Sequence, residues 1–583
     1  MTTRSVWAPN AASVEVVVGE QRIPMRPCGR GWHRVELSAD VAEAEYGFSL
    51  DGGAVLPDPR SPRQPGGTGG RSSPVDHGAF PWTDQHWRGG PPLAASVLYE
   101  LHVGTFTPAG TFDGVIDRLD YLVDLGVTTL EIMPVATFPG RRGWGYDGVD
   151  LYAPHEAYGG PEGLKRLVDA CHARGLAAVL DVVYNHLGPD GNVLGQFGPY
   201  FTDRYRTPWG AAVNLDGPDS DEVRSFLIDN AVMWLRDYHL DGLRLDAVHA
   251  IHDESAHHFL VELSARVREA SAQLGRHTVL IAESDANDPR TVMGPAVGGF
   301  GLDAVWLDDF HHSLHAFLTG EQVGYYEDFG RLAMIADALT HGFVYRGQYS
   351  SFRHRHHGAP ARADGNHFVG YLQNHDQVGN RADGERIGQL AGTAEVLAGL
   401  GLVLASPFTP MLFQGEEWSA STPFLYFTDH GDPDLAVAVA EGRRRELAHL
   451  AAAAVPDPQD PQTFLRSKLR WEEPATSPHR EVHAWVRSLL AFRRLQPSLR
   501  ATSLTHVFAA VNEKGRQLLV QRGDVLLIAN LGEAESPTLD GARTLLASPA
   551  IGATPAGVVT FCGVAPHATL ESLAGDYVLY RSE

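Results

Sequence analysis

Arg244 and Asp246 stand two residues apart in the apolar run Gly242-Leu-Arg-Leu-Asp246. Side chains along a strand alternate with a period of two, so an extended run puts both on one face. A charged pair in that position either satisfies itself at a β–α junction or does chemistry. Two further apolar runs also end in carboxyls: Thr278-Val-Leu-Ile-Ala-Glu283, and Phe368-Val-Gly-Tyr-Leu-Gln-Asn-His375-Asp376. Three carboxyls at three strand ends suit the cleavage of a glycosidic bond. That reaction needs a carboxylate nucleophile, a carboxylic acid to protonate the leaving oxygen, and polar groups that hold sugar hydroxyls in the transition state.

The elements that must position these groups are legible from residue 96 onward. Eight β runs, Ser96–Val103, Thr128–Val135, Ala177–Val183, Gly242–Val248, Thr278–Glu283, Ala304–Phe310, Phe368–Asp376 and Thr409–Gln414, alternate with amphipathic helical stretches such as Leu164–Ala173 and Val223–Leu235. Eight strand–helix units predict an α/β fold, a (β/α)8 TIM barrel, whose chemistry belongs at the C-terminal strand ends. Short alternating runs between Gly and Pro turns predict an N-terminal β-sandwich over residues 1–92. Its Gly- and Pro-rich tail, Pro57–Ser73, reads as a loop draped on the next domain. The barrel is expected over 93–498, with an insertion at 187–221 that walls the cleft, and Ala451–Ala454 within it as a helix end. A C-terminal antiparallel β domain is expected over 499–583.

Composition excludes several classes. The chain of 583 residues is 43% hydrophobic and 20% charged, an ordinary globular balance. A formal charge of −24 argues against nucleic acid and anionic membranes and suits a neutral substrate. Three cysteines, Cys28, Cys171 and Cys562, are far apart and suggest neither a disulfide framework nor a zinc site. The N-terminus lacks the apolar core of a secretion signal and no apolar run reaches membrane length, so a cytoplasmic protein is expected.

Four motifs in order, Asp181-Val-Val-Tyr-Asn185-His186, Gly242-Leu-Arg244-Leu-Asp246, the strand ending at Glu283, and Asn374-His375-Asp376, make the chain resemble the α-amylase superfamily of glycoside hydrolases. The resemblance implies Asp246 as nucleophile, Glu283 as general acid/base and Asp376 as the carboxylate that grips ring hydroxyls. It implies Arg244, His186 and His375 as supports, and Tyr152, in Trp144-Gly-Tyr-Asp-Gly-Val-Asp-Leu-Tyr152, as the aromatic platform under the sugar. Asn185 matches a calcium ligand of some amylases, but no acidic partner is evident, so no metal and no cofactor is expected. The tract Arg353-His-Arg-His-His357 interleaves arginines that would repel a cation, and reads as a solvated or substrate-facing loop.

Longer stretches, Ala282-Glu-Ser-Asp285-Ala-Asn287-Asp-Pro-Arg290, Trp306-Leu-Asp-Asp-Phe-His-His-Ser-Leu-His315, His375-Asp-Gln-Val-Gly-Asn380 and Gly415-Glu-Glu-Trp418, are similar to those of the maltooligosyltrehalose trehalohydrolases. These enzymes hydrolyse the α-1,4 bond beside a terminal trehalose. The implied partner is maltooligosyltrehalose. Two alternatives remain: a glycogen branching enzyme, which would usually show Glu-Glu-Ser at the acid strand where this chain reads Ala282-Glu283-Ser284-Asp285, and a non-catalytic binding module, which three intact carboxyls disfavour. Selectivity for trehalose must come from beyond the scissile bond, because the other side is glucose in every α-glucan. His249, Asp308, Asp309, His311, His312, Gln377 and Asn380, all on strand-end loops, are the polar groups expected to read it.

Overall fold

The structure is a computed structural model and describes residues 2–447, 455–532, 543–549, 558–564, 570 and 577–582. Eight parallel strands close into a barrel in chain order. They are Leu98–Leu101, Thr129–Ile132, Ala177–Val182, Gly242–Leu245, Val279–Ala282, Ala304–Trp306, Phe368–Tyr371 and Thr409–Phe413, numbered one to eight below. Their buried, almost continuously apolar sequences are those of strands covered on both faces. Leu98, Val179, Val279, Ile281, Trp306, Val369 and Met411 pack together as one cluster, so the barrel is a filled core and not a pore.

Local chemistry explains the helices around it. Ser220–Asp237, the helix between strands three and four, has Asp221 and Glu222 in its first turn and Arg236 in its last, which complements the helix dipole. Gly242 opens strand four because strand five passes close by: a Cβ there would meet the Val279 carbonyl oxygen at 2.3 Å. The glycine of the Gly-Leu-Arg-Leu-Asp run is thus a packing requirement, while the Arg and Asp are not.

Ahead of the barrel lie two antiparallel sheets that form the sandwich. One has three strands, in the order Thr2–Trp7, Trp32–Leu37, Arg26–Gly29; the other has four, in the order Gln21–Pro24, Val14–Val18, Tyr46–Leu50, Val55–Leu56. The loop after them is draped on the barrel. Arg60 donates to the Tyr152 hydroxyl at 2.8 Å and to Asp229 at 2.9 Å, Arg63 to Glu156 at 2.8 Å, and Gln64 to Asp150 at 3.1 Å. Beyond the barrel, Arg543–Ala547, Val558–Gly563, Val525–Asn530, Gln517–Arg522, Val507–Asn512 and Val578–Arg581 form one antiparallel sheet in that order. Ala451–Ala454 lies outside the described residues.

Two hairpins rise over the strand ends. Within the stretch after strand three, Phe201–Thr207 pairs with Gly210–Val213. Between strands six and seven, Arg346–Ser350 pairs with Arg355–Gly358. The second hairpin had no clear strand signature in the sequence, because its residues are mostly polar and exposed.

Candidate active site

Arg244 is the hub of the barrel's C-terminal mouth. Strands three and four pair in parallel with Asp181 opposite Arg244, and the fully buried guanidinium lies 4.1 Å above the Trp306 ring. Its Nη1 donates to Asp181 Oδ2 at 2.7 Å and to Asp246 Oδ1 at 3.1 Å. Its Nη2 stands 2.9 Å from Glu283 Oε2, a charge contact whose N–H is not aimed at the oxygen. One guanidinium therefore touches both carboxyls at the ends of strands four and five. Burial, together with the Asp246 charge, raises Asp181 to about 7 against the pull of Arg244.

Each carboxyl is held a second time. Asn185 Nδ2 donates to Asp246 Oδ2 at 2.7 Å and to the Asp246 carbonyl at 2.8 Å. His186 in turn orients Asn185, with Nδ1 at 2.6 Å from Asn185 Oδ1. Burial lowers His186 to about 4, which keeps it neutral. Glu283 Oε2 accepts from the Ala247 N–H at 2.8 Å, and the Glu283 carbonyl accepts from Val248 at 3.0 Å. Ala247 sits in the left-handed region at φ 40°, a costly conformation for a residue with a side chain. The strained turn after Asp246 is thus tied to Glu283 itself.

The third carboxyl comes from strand seven. Asp376 lies in the first turn of the helix His375–Gly379, whose N-cap Asn374 accepts from the Gln377 N–H at 2.8 Å. Its Oδ1 is 3.5 Å from His375 Nε2 and 3.2 Å from Asn380 Nδ2. Behind it, His375 is clamped by Glu100 of strand one, through Nδ1 and through its backbone N–H at 3.0 Å. Burial opposes the imidazolium, but Glu100 and Asp376 overcome it and lift His375 to about 9. The proton is held more tightly in the folded than in the unfolded chain. Its contribution to stability, about 3 kcal/mol for that shift, is therefore complete below about pH 6.5 and lost as the pH rises through about 9. We expect the stability gap between the wild type and His375→Gln, read from denaturant midpoints, to shrink over that window. A gap that is flat from pH 6 to 9.5 would contradict this.

Tyr146, and not Tyr152 as expected, brings its ring to the carboxyls. Its ring stacks on His375 at 5.1 Å and 20°, and its hydroxyl donates to Asp181 Oδ2 at 2.6 Å. Gly145, at φ 102°, makes the turn that delivers it; a Cβ there would lie 2.2 Å from the Pro134 carbonyl oxygen. Tyr152 is on a separate short strand, Asp150–Pro154, buried under Arg60 with its hydroxyl on the Phe226 carbonyl.

The helix Asp308–Thr319 after strand six divides its polar residues. Asp308 stays at the mouth, where its Oδ1 accepts from the Tyr371 hydroxyl. Burial first, and then the charges of Glu283, Asp285 and Asp309, push its carboxyl up to about 8. Asp309, His311 and His312 depart from the expectation of sugar contacts. Asp309 Oδ2 accepts from the Val344 and Tyr345 N–H groups at 2.7 and 2.9 Å and from Asn287 at 2.7 Å. His311 is closed between the Leu372 carbonyl and the Tyr326 hydroxyl. His312 is buried among Tyr325, Tyr326 and Phe329. Asp309→Ala would leave three donors unpaired and should destabilise the protein by about 3 kcal/mol, seen as a Tm lower by several degrees. An unchanged Tm would show that Asp309 does not hold this loop.

The outer rim is polar. His249 is exposed, its Nδ1 3.9 Å from Asp285 Oδ1, and Asp285 is paired at 2.8 Å with Arg353 from the turn of the second hairpin. Gln377 Oε1 accepts from the Tyr325 and Tyr326 hydroxyls. Asn380 joins Asp376 to Arg443. At the tip of the first hairpin, the half-exposed ring of Trp209 stacks on His186 at 4.2 Å and 5°. Tyr146 belongs to the aromatic motif that ends at Tyr152, and Arg353 to the tract read as a solvated or substrate-facing loop, whereas no motif marks Glu100 or the pairing of Asp285 with Arg353. Glu100 had a signal, since it is the lone acid in the apolar run Leu98-Tyr-Glu-Leu101. The Asp285–Arg353 pair, 68 residues apart, had none. Among the described residues no group of His, Cys, Asp and Glu has the arrangement of a metal site, and Asn185 is turned to Asp246.

A closed parallel barrel with these carboxyls at its strand ends defines a glycoside hydrolase built on the alpha-amylase catalytic domain, and the model of that domain matches residues 79–197. The malto-oligosyltrehalose trehalohydrolase of Arthrobacter ramosus is 53% identical over 84% of this chain and 87% of its own length. The crystal structure of a putative alpha amylase from Salmonella typhimurium superposes with a TM-score of 0.88, at 39% identity, over 96% of this chain and 97% of that one. A 1,4-alpha-glucan branching enzyme of Corynebacterium jeikeium is more distant, 27% identical over 71% of this chain and 60% of its own length. The chain belongs to the malto-oligosyltrehalose trehalohydrolase family.

Proposed function

We propose that the protein hydrolyses the α-1,4-glucosidic bond next to the terminal trehalose of maltooligosyltrehalose, with retention of configuration, and releases trehalose. The observation that carries the chemistry is the single Arg244 guanidinium in contact with both Asp246 and Glu283. It holds two carboxyls across one small space, as a double displacement requires; retaining enzymes keep them at about 5–5.5 Å. Asp246 attacks the anomeric carbon while Glu283 gives its proton to the leaving oxygen, so that the trehalose departs and a glycosyl–Asp246 ester forms. Glu283, now a carboxylate, takes a proton from water, and the hydroxyl opens the ester. Asp376 and His375 would grip ring hydroxyls, and the Tyr146 ring would lie under the sugar.

Selectivity is assigned to Asp308 and His249, with Gln377 and Asn380 beside them, as groups left unpaired when plain maltooligosaccharide binds. The names of the relatives support trehalose as the released product; the different residue after Glu283, and the distance of the branching enzyme, weigh against transfer to a sugar hydroxyl. A cytoplasmic setting is in keeping with three free cysteines and with the lack of a helix long and apolar enough to cross a membrane among the described residues. One assay tests the whole reading. Maltotriosyltrehalose should yield trehalose and maltotriose, whereas maltohexaose and amylose should be cut far more slowly; equal rates on all three, or branched products, would refute it. Asp308→Asn should narrow that preference, and an equal loss on both substrates would remove Asp308 from selectivity.

A further inference from the structure

At the opposite end of the barrel from the catalytic carboxyls, a cavity of about 400 Å³ opens between the approaches to strands one and two and the helix His479–Leu495. Arg487, Arg493, Arg494 and Arg500 line it, against a single acid, Asp124. In a chain of formal charge −24 this is an inverted local balance. Arg487, Arg494 and Arg500 are exposed and have no ion-pair partner among the described residues. Arg493 is buried and donates only to backbone carbonyls, those of Leu404, Ser406 and Phe408, at 2.9 Å each. Behind it Arg522, also buried, donates to the carbonyls of Ala405, Ser406, Leu499 and Ala501. Among the described residues neither buried cation has a carboxylate to neutralise it.

The bland reading is that Arg493 and Arg494 serve the dipole of their own helix, in whose last turn they lie. The carbonyls of Leu404, Ala405 and Ser406 that Arg493 and Arg522 bind also close a second helix, Thr393–Ala405; two such helix ends offer roughly one elementary charge together, which leaves most of the positive charge of five guanidiniums uncompensated. Charge buried in a low-dielectric wall and repeated at the rim focuses its field into the concavity between them. Guanidiniums are also the side chains whose fork geometry matches phosphate oxygens. Val97, Leu125 and Leu490 give the cavity an apolar side, and its volume is that of a small-molecule site.

We propose that this cavity binds a small phosphorylated metabolite, the phosphate held by Arg487, Arg494 and Arg500 and the carbon skeleton laid against the apolar side. The site is separate from the glucan cleft and independent of the reading of that cleft. Calorimetry on the full chain with glucose 6-phosphate and with inorganic phosphate, at constant ionic strength, tests it. Saturable binding of glucose 6-phosphate is expected, several-fold tighter than that of inorganic phosphate. In the double variant Arg487→Gln/Arg494→Gln it should weaken by at least about tenfold, since each substitution removes a charge-assisted hydrogen bond. Both positions are exposed, so the variant should fold, and its hydrolysis of maltooligosyltrehalose at the far end of the barrel should match the wild type. No saturable binding of glucose 6-phosphate, binding that the double variant leaves unchanged, or equal affinity for the two probes, which marks an adventitious ion only, would overturn the proposal.

Discussion

Asp246→Asn should lower turnover of maltooligosyltrehalose on the order of 10⁴-fold or more, the scale on which removal of an essential nucleophile is felt. The amide cannot form the glycosyl ester, while Asn185 and Arg244 still surround an isosteric side chain. The fold should therefore survive, with an unchanged far-UV spectrum. The substitution also removes one anion from the buried Arg244, which keeps Asp181 and Glu283 as partners, so any loss of stability should be modest. The loss should be as large on an activated α-glucosyl fluoride as on the natural substrate, because both need the nucleophile. Retained activity, or early release of the β anomer seen by NMR, would sink the double-displacement reading.

Glu283→Gln should behave differently. Loss of a general acid costs about 10²- to 10⁴-fold, and that cost falls on the step in which the leaving oxygen must be protonated. Fluoride leaves without a proton, so formation of the glycosyl ester from α-glucosyl fluoride should lose far less than hydrolysis of maltooligosyltrehalose. The ester should then build up, since no base remains to activate water, and it should be visible as a mass increase on the protein. Glutamine can still accept the Ala247 N–H that Glu283 now accepts, so the turn after Asp246 should persist and the substrate should still bind. Equal losses on the two substrates, with no intermediate, would move the acid/base role to another residue. Asp308, pushed up to about 8 beside Glu283, would be the first to examine.

Much of this architecture is legible in the amino-acid sequence. The eight strands were legible because parallel strands buried on both faces are short, apolar and regularly spaced, and the carboxyls that end them stand out against that background. The second hairpin is not legible in this way, because its mostly polar, exposed residues have no buried face to impose a pattern.

The barrel, and the placing of Arg244, Asp246, Glu283 and Asp376 at its C-terminal mouth, follow from the amino-acid order alone, because strand alternation and strand ends are local properties of the chain. The choice between near neighbours was made only by tertiary structure. Tyr146 and Tyr152 belong to one motif, yet Tyr152 is carried off by the strand Asp150–Pro154, which pairs back to Ala136–Thr137. Asp308 and Asp309 are consecutive in one helical turn, about 100° apart around its axis. Which of them looks into the cleft depends on how that helix is rotated, and the rotation is set by distant partners: Tyr371 on strand seven for the first, the backbone at Val344 and Tyr345 for the second. The guanidinium of Arg244 joins strands three, four and five in the same way, through contacts that no single segment encodes.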